Sequence, residues 1–265
     1  MKEILLCPPT NFEIMYEINP WMHAGTPIDH VKILEEYEAL KQIYTSLGVT
    51  YHELTPQVGL PDQVYTTDTG LPEGNMFIKS NFRYPQRVPE AAIAASFFQK
   101  KGYENKTIPD GIYFEGEGEL LRCDDRYYLG YGYRSSKEAA PYLQDYLQKP
   151  VQTLEIVDPR FFHLDTCFAP LTDDLALVYK PALSKEAQQV VQRDFKSLIN
   201  LTETDALAFA CNLVTIGKNI IIHEGLSDSL TKQLEEQGYT IHTLNMQEYL
   251  KGGGSAKCIS LQIYK

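Results

Sequence analysis

Apolar residues Ile33, Leu34, Tyr37, Leu40, Ile43, Tyr44 and Leu47 recur at helical spacing, which predicts a helix over 28–47 stopped at Gly48. A short buried strand, Ile4 to Leu6, precedes it and ends in the loop Cys7-Pro8-Pro9-Thr10-Asn11. A further strand is expected over 49–54 and a turn over 56–61. From residue 64 the pattern cycles as strand, strand, helix. The segments are 64–70, 75–79 and 91–101, then 112–121, 126–129 and 136–147. They return at 161–165, 175–179 and 185–199, and again at 209–214, 219–223 and 227–237. Cys258-Ile259-Ser260-Leu261-Gln262-Ile263 alternates like a half-buried strand and opens a fifth cycle. No chain remains for its second strand and helix, so the N-terminal strand and helix are expected to supply them.

One polar residue holds the same place in each cycle: Asp68, Glu115, His163, Asn212 and Cys258, separated by 47, 48, 49 and 46 residues. A period near 48 marks a repeat architecture. The fold expected is α/β: a five-bladed, pseudo-fivefold α/β propeller, one domain over 1–265, closed by the N- and C-terminal strands. Equivalent positions would then face a central channel. The competing reading is a mixed α/β sheet whose polar residues match in spacing by coincidence.

Composition narrows the partners. Hydrophobic residues at 43% and charged ones at 22% are globular values, and 265 residues suffice for a large core. A net charge of −11 argues against nucleic acid, which needs clustered Lys and Arg. No apolar run approaches the ~18 residues of a membrane span, and Met1 to Cys7 lacks the form of a signal peptide. Five cysteines spaced by 116, 44, 44 and 47 residues make neither a disulfide framework nor a zinc pattern. Reduced thiols in a cytoplasmic protein are expected, without metal or cofactor; assembly into homo-oligomers is left open.

The chemistry centres on the run Gly252-Gly253-Gly254-Ser255-Ala256-Lys257-Cys258, where chain without side chains leads to a thiol. As a bland alternative this is a flexible hinge before a buried cysteine. A thiol, an imidazole and a carboxylate in one channel are the parts of a nucleophilic site. Cys258 is the candidate nucleophile, His163 would stabilise the thiolate and carry protons, and Glu115 would orient the imidazole or a cation. Asp68 and Asp165 add carboxylates at the same point. Clustered acids favour a cation between them, and the N–H fork of a guanidinium fits carboxylates. Arg87 and Arg134, in loops after the hairpins, are placed to hold a carboxylate at the other end of the ligand. Asn212 and Asn11 complete the candidate substrate-binding residues. The small molecule so drawn is an amino acid with a guanidino tail.

The pieces Thr66-Thr67-Asp68, Phe114-Glu115-Gly116-Glu117-Gly118-Glu119, Phe162-His163-Leu164-Asp165-Thr166 and Gly252 to Cys258 span nearly the whole chain. In this order they resemble the guanidino-group-modifying enzymes of the pentein fold: dimethylarginine dimethylaminohydrolase, arginine deiminase and the amidinotransferases. The resemblance implies that Cys258 attacks the guanidinium carbon and that His163 protonates the leaving amine and then activates water. It implies that Glu115 and Asp68 hold the guanidinium while Arg87 and Arg134 bind a carboxylate. The intermediate would be a thiouronium and the product a ureido compound. Two departures stand out. The acidic stretch carries an extra residue, so Glu115 and Glu117 compete, with Glu115 favoured because Phe114 precedes it. Asp165 resembles the deiminases and amidinotransferases, where mammalian-type dimethylargininases have lysine. Related dihydrolases carry asparagine in place of Asp68, which disfavours a dihydrolase. The resemblance supports a hydrolase of arginine or an Nω-methylated arginine; its alternatives are an amidinotransferase and a non-catalytic binding protein on the same propeller.

Overall fold

The first hairpin, Gly70–Glu73 paired antiparallel with Met76–Lys79, is buried on both faces, by Leu71 and Ile78 on one and by Phe77 on the other. The chain then enters the helix Val88–Lys100, with a proline in its first turn, where a missing N–H costs nothing. Ala91, Ala94, Ala95 and Phe98 are buried on that helix, and Phe98 stacks on Phe77 with ring centroids 4.4 Å apart. A third strand, Glu104–Thr107, returns parallel to Met76–Lys79. This hairpin, helix and parallel strand form one blade.

The computed structural model describes residues 3–264, and the blade recurs throughout them. The second blade is Leu120–Arg122, Tyr127–Tyr131, helix Ala140–Leu147 and Val151–Glu155. The third is Phe168–Pro170, Leu175–Val178, helix Lys185–Asp194 and Ser197–Asn200. The fourth is Val214–Ile216, Asn219–His223, helix Asp228–Glu236 and Thr240–Leu244. The fifth joins the two ends of the chain: Leu261–Ile263 pairs antiparallel with Glu3–Leu6, followed by helix His30–Ser46 and parallel strand Thr50–Glu53. Glu3 faces Ile263 in that register, so the ring is sealed as the sequence predicts. The apolar cores lie between blades: Ile4, Leu6 and Tyr44 cluster with Ile221 and Ile259, for instance. The polar marker residues are left at the centre.

The structure differs from the sequence expectation in two regular ways. Except in the fifth, where the strand expected over 49–54 is present as Thr50–Glu53, each blade has a third strand that the strand, strand, helix cycle omitted. These strands show no apolar alternation; Glu104–Thr107 is mostly exposed along its length. Accordingly, the fourth helix ends at Asp194 instead of continuing to 199, where Ser197–Asn200 takes over. Secondly, the marker residues precede the first strand of each blade instead of lying in it. Asp68 sits in the turn Thr66–Thr69, and Glu115 and His163 sit immediately before the turns Gly116–Glu119 and Leu164–Thr166. Threonine hydroxyls hold two of these turns: Thr69 Oγ1 donates to the Thr66 carbonyl at 2.7 Å and Thr166 Oγ1 to that of His163 at 2.6 Å. Such local bonds replace a strand ladder. No described helix is long and apolar enough to cross a membrane.

Candidate active site

Five turns, one from each blade, converge on the channel, and each marker residue is at most 3% exposed. Cys258 is fixed by its neighbours across the ring. Asn212 Oδ1 accepts the backbone N–H of Ser255 at 3.0 Å and of Cys258 at 3.2 Å, while its Nδ2 donates to Sγ at 3.0 Å. Asn212 therefore holds the thiol loop. The thiol itself donates to Asp165 Oδ2 at 3.6 Å. The three glycines are packed chain, not a hinge. A Cβ on Gly252 would lie 2.1 Å from the Tyr65 hydroxyl, and one on Gly254 would lie 2.5 Å from the same ring. Gly253 has φ +88° against the Asn19 amide.

Glu115, not Glu117, meets the imidazole: His163 Nε2 lies 2.8 Å from Glu115 Oε2. Arg134 Nη1 donates to the same oxygen at 2.8 Å. Burial alone would raise the proton affinity of Glu115, but Arg134 and the His163 hydrogen bond outweigh it and hold the carboxyl well below the usual range. Glu117 instead pairs with Lys257. The other side of the imidazole, Nδ1, lies 3.5 Å from Asp68 Oδ1. Asp68 Oδ2 accepts from Arg87 Nη1 at 2.7 Å. Arg87 is also held by Glu90, with Nη2 at 2.8 Å, and packs over the Phe82 ring. Burial raises the Glu90 carboxyl to about 8 against the pull of Arg87. Arg134 lies between the rings of Tyr84 and Phe162, each centroid 4.9 Å away. The two arginines thus stand at the pocket already engaged with its own acids. Burial, then the charges of Asp165 and Asp68, push the Cys258 thiol well up, opposed by the Asn212 hydrogen bond.

Asp68, Arg87, Arg134 and Cys258 line a narrow front pocket with about 10 Å³ of free space, together with Asp62, Tyr65 and Gly252 to Gly254. On the other side lies a cavity of about 650 Å³ bordered by Asp165, Lys257, Glu117 and Ala169. Asn11 is not brought to the pocket. It ends the turn Pro9–Asn11, after which Phe12 turns inward against Tyr65 and Tyr249. Asn19 lines the pocket in its place and donates to the Gly252 carbonyl at 3.0 Å. Sequence reasoning also missed Asp62 and Tyr65, which stand outside the motifs, and gave no role to Glu119, which ends the acidic stretch. Glu119 accepts the N–H of Ser135 at 3.2 Å and of Leu164 at 3.1 Å, each next in chain to a site residue. Among the described residues no group of three His, Cys, Asp or Glu side chains has a metal-holding arrangement.

A family model for eukaryotic N,N-dimethylarginine dimethylhydrolases matches residues 21–265. The chain belongs to this family. An N(G),N(G)-dimethylarginine dimethylaminohydrolase of Mycobacterium tuberculosis is 36% identical over 263 residues, 99% of this chain and 86% of the relative. The bifunctional arginine dihydrolase/ornithine cyclodeaminase AgrE of Nostoc is 34% identical, and the match covers 98% of this chain but only 37% of that protein. The substrate-bound N-terminal domain of ArgZ, a cyanobacterial arginine dihydrolase, superposes with a TM-score of 0.96 at 32% identity, covering 100% of this chain and 99% of that one. A dimethylarginine dimethylaminohydrolase adduct at 20% identity has a TM-score of 0.81 and shares the fold.

Proposed function

We propose that this family member hydrolyses the guanidino group of arginine or an Nω-methylated arginine, with Cys258 as nucleophile, releasing ammonia or a methylamine and the ureido product citrulline. The observation that carries this reading is a set of buried atoms without hydrogen-bond partners around the thiol: Asp68 Oδ1, His163 Nδ1 and Asp165 Oδ1. Buried polar atoms are normally paired, and a guanidinium supplies the N–H donors that both carboxylates lack. The matches to a dimethylaminohydrolase and to arginine dihydrolases support the same chemistry.

Sγ attacks the guanidinium carbon, and the leaving nitrogen takes its proton from His163. Glu115, held as a carboxylate, only accepts, so Nε2 carries a hydrogen and Nδ1 is the atom that gives and takes protons. After the amine leaves, Nδ1 accepts a proton from water, which attacks the thiouronium and frees the thiol. Arg87 and Arg134 line the pocket and are assigned to the substrate carboxylate, which they reach only by turning away from Asp68 and Glu115, the acids they pair with in this structure. Two unpartnered carboxylate oxygens favour an unsubstituted or singly methylated guanidinium, because a dimethylated nitrogen leaves one without a donor. That loss costs on the order of 1–3 kcal/mol.

The test measures ureido product from arginine, monomethylarginine and asymmetric dimethylarginine, for the wild type and Cys258→Ser. The expected result is one ammonia or methylamine per ureido group, a higher kcat/KM for the first two substrates, and loss of turnover in the variant. No ureido product from any of the three, or a variant within about tenfold of wild type, overturns the reading.

A further inference from the structure

Among the described residues no hydrogen bond joins Cys258 to His163. The imidazole is committed to Glu115 at Nε2 and faces Asp68 at Nδ1. The side-chain neighbour Asn212 Nδ2 donates to Sγ, whereas Asp165 Oδ2, at 3.6 Å, is placed to accept from it. We propose that Asp165, and not His163, takes the proton of the Cys258 thiol and keeps it while the covalent intermediate stands. This rests on the hydrolase reading above.

The step balances. The S–H proton moves to Asp165 Oδ2, and the freed sulfur electron pair forms the bond to the guanidinium carbon. His163 gives its own proton to the leaving nitrogen as the C–N bond breaks. Water then gives one proton to His163 as the new C–O bond forms. The adduct collapses and expels the thiolate, its hydroxyl proton passes to solvent to leave the ureido carbonyl, and the thiolate retakes its proton from Asp165. Two proton positions thus serve two bonds, without one imidazole having to serve both.

The surroundings suit Asp165 to this task. It is 1% exposed and borders the cavity of about 650 Å³ behind the thiol, so proton exchange does not depend on the substrate-filled front pocket. Desolvation and then the charge of Asp68 raise its proton affinity well above that of an ordinary carboxyl, opposed by Lys257. Burial and the charges of Asp165 and Asp68 raise the thiol as well, so the transfer rests on the 3.6 Å contact between the two groups. The charged and titratable groups around the pair are Asp68, Lys257, Glu119, Cys211, Cys167 and Tyr65. The forms S–H with carboxylate and thiolate with carboxylic acid share one proton count, so the pair titrates as a unit.

The test compares kcat/KM against pH, from about pH 6 to about pH 9.5, for the wild type and Asp165→Asn. The wild type is expected to be flat across the middle of the range. The variant is expected to lose roughly 10²-fold near pH 7 and to recover about tenfold per pH unit, as its thiol must ionise unaided. A constant ratio between the two profiles would overturn the proposal and leave Asp165 as a holder of the guanidinium. Alkylation of Cys258 by iodoacetamide, which carries no guanidinium, gives the same comparison should the hydrolase reading fail. Wild-type alkylation is expected to vary by less than about tenfold between pH 6 and pH 8. A rise of about tenfold per unit in the wild type overturns the proposal even if the variant does not fold.

Discussion

At the scale of single residues, the site depends as much on missing side chains as on present ones. Gly118 packs where Asp68 and His163 meet, and a Cβ there would lie 2.6 Å from Asp68 Oδ1 and 3.1 Å from His163 Nδ1. Both atoms are buried, face one another at 3.5 Å without a hydrogen bond, and are assigned to the substrate. Gly118→Ala is therefore expected to lower kcat/KM by roughly 10²-fold, since a small misplacement of reacting groups costs about that much. Steady-state kinetics beside a urea melt checks this: activity within about threefold of wild type would show that the two side chains have room to move. The marker residues were legible because each occupies the same place in a repeat. Asp62 and Asn19 were not, because they reach the pocket through loops that follow no period. The charge pairing of Arg87 and Arg134 was also hidden, since sequence shows cations near acids but not which acids they meet.

Among the elements, the turn Gln247–Leu250 leads into the glycine run and is tied to the first long helix by Glu36. The Glu36 carboxylate accepts the Glu248 N–H at 3.2 Å through each oxygen. Burial raises this carboxyl to about 7, the Glu248 N–H opposes the rise, and the charge of Glu248 adds to it. A folded-state value above the unfolded 4.5 means that the folded chain binds this proton more tightly. The contribution of Glu36 to stability is then fully present below about 4.5 and is lost as pH rises through about 7. Glu36→Gln is expected to gain on the order of 2 kcal/mol relative to wild type between pH 5 and pH 8. Urea midpoints at the two values measure it, and identical pH dependence in both proteins would contradict it. The helices were legible from apolar spacing. The outer parallel strands of the first four blades were not, because an exposed strand such as Glu104–Thr107 carries no buried face to mark it. The threonine-held turns were read as strands because their β-branched residues favour both.

On the scale of the molecule, closure makes the site. Leu261–Ile263 and Glu3–Leu6 complete one blade, so the thiol at one end of the chain is fixed by the strand at the other. Bridges between blades add to this: Asn81 and Phe114 exchange N–H and C=O at 2.9 and 3.0 Å, which sets Glu115 in place beside the channel. The ring was legible from five evenly spaced polar residues and a fifth unit that lacked its second half. The central claim is that these five turns make one nucleophilic centre for a guanidino carbon. Its most direct measurement is mass spectrometry of protein quenched in acid during turnover of arginine or monomethylarginine, with peptide mapping of all five cysteines. The account predicts an adduct with the mass of the substrate less the departing ammonia or methylamine, on Cys258 and absent from Cys258→Ser. Turnover with no adduct, or an adduct on Cys7, Cys123, Cys167 or Cys211 in place of Cys258, would contradict it.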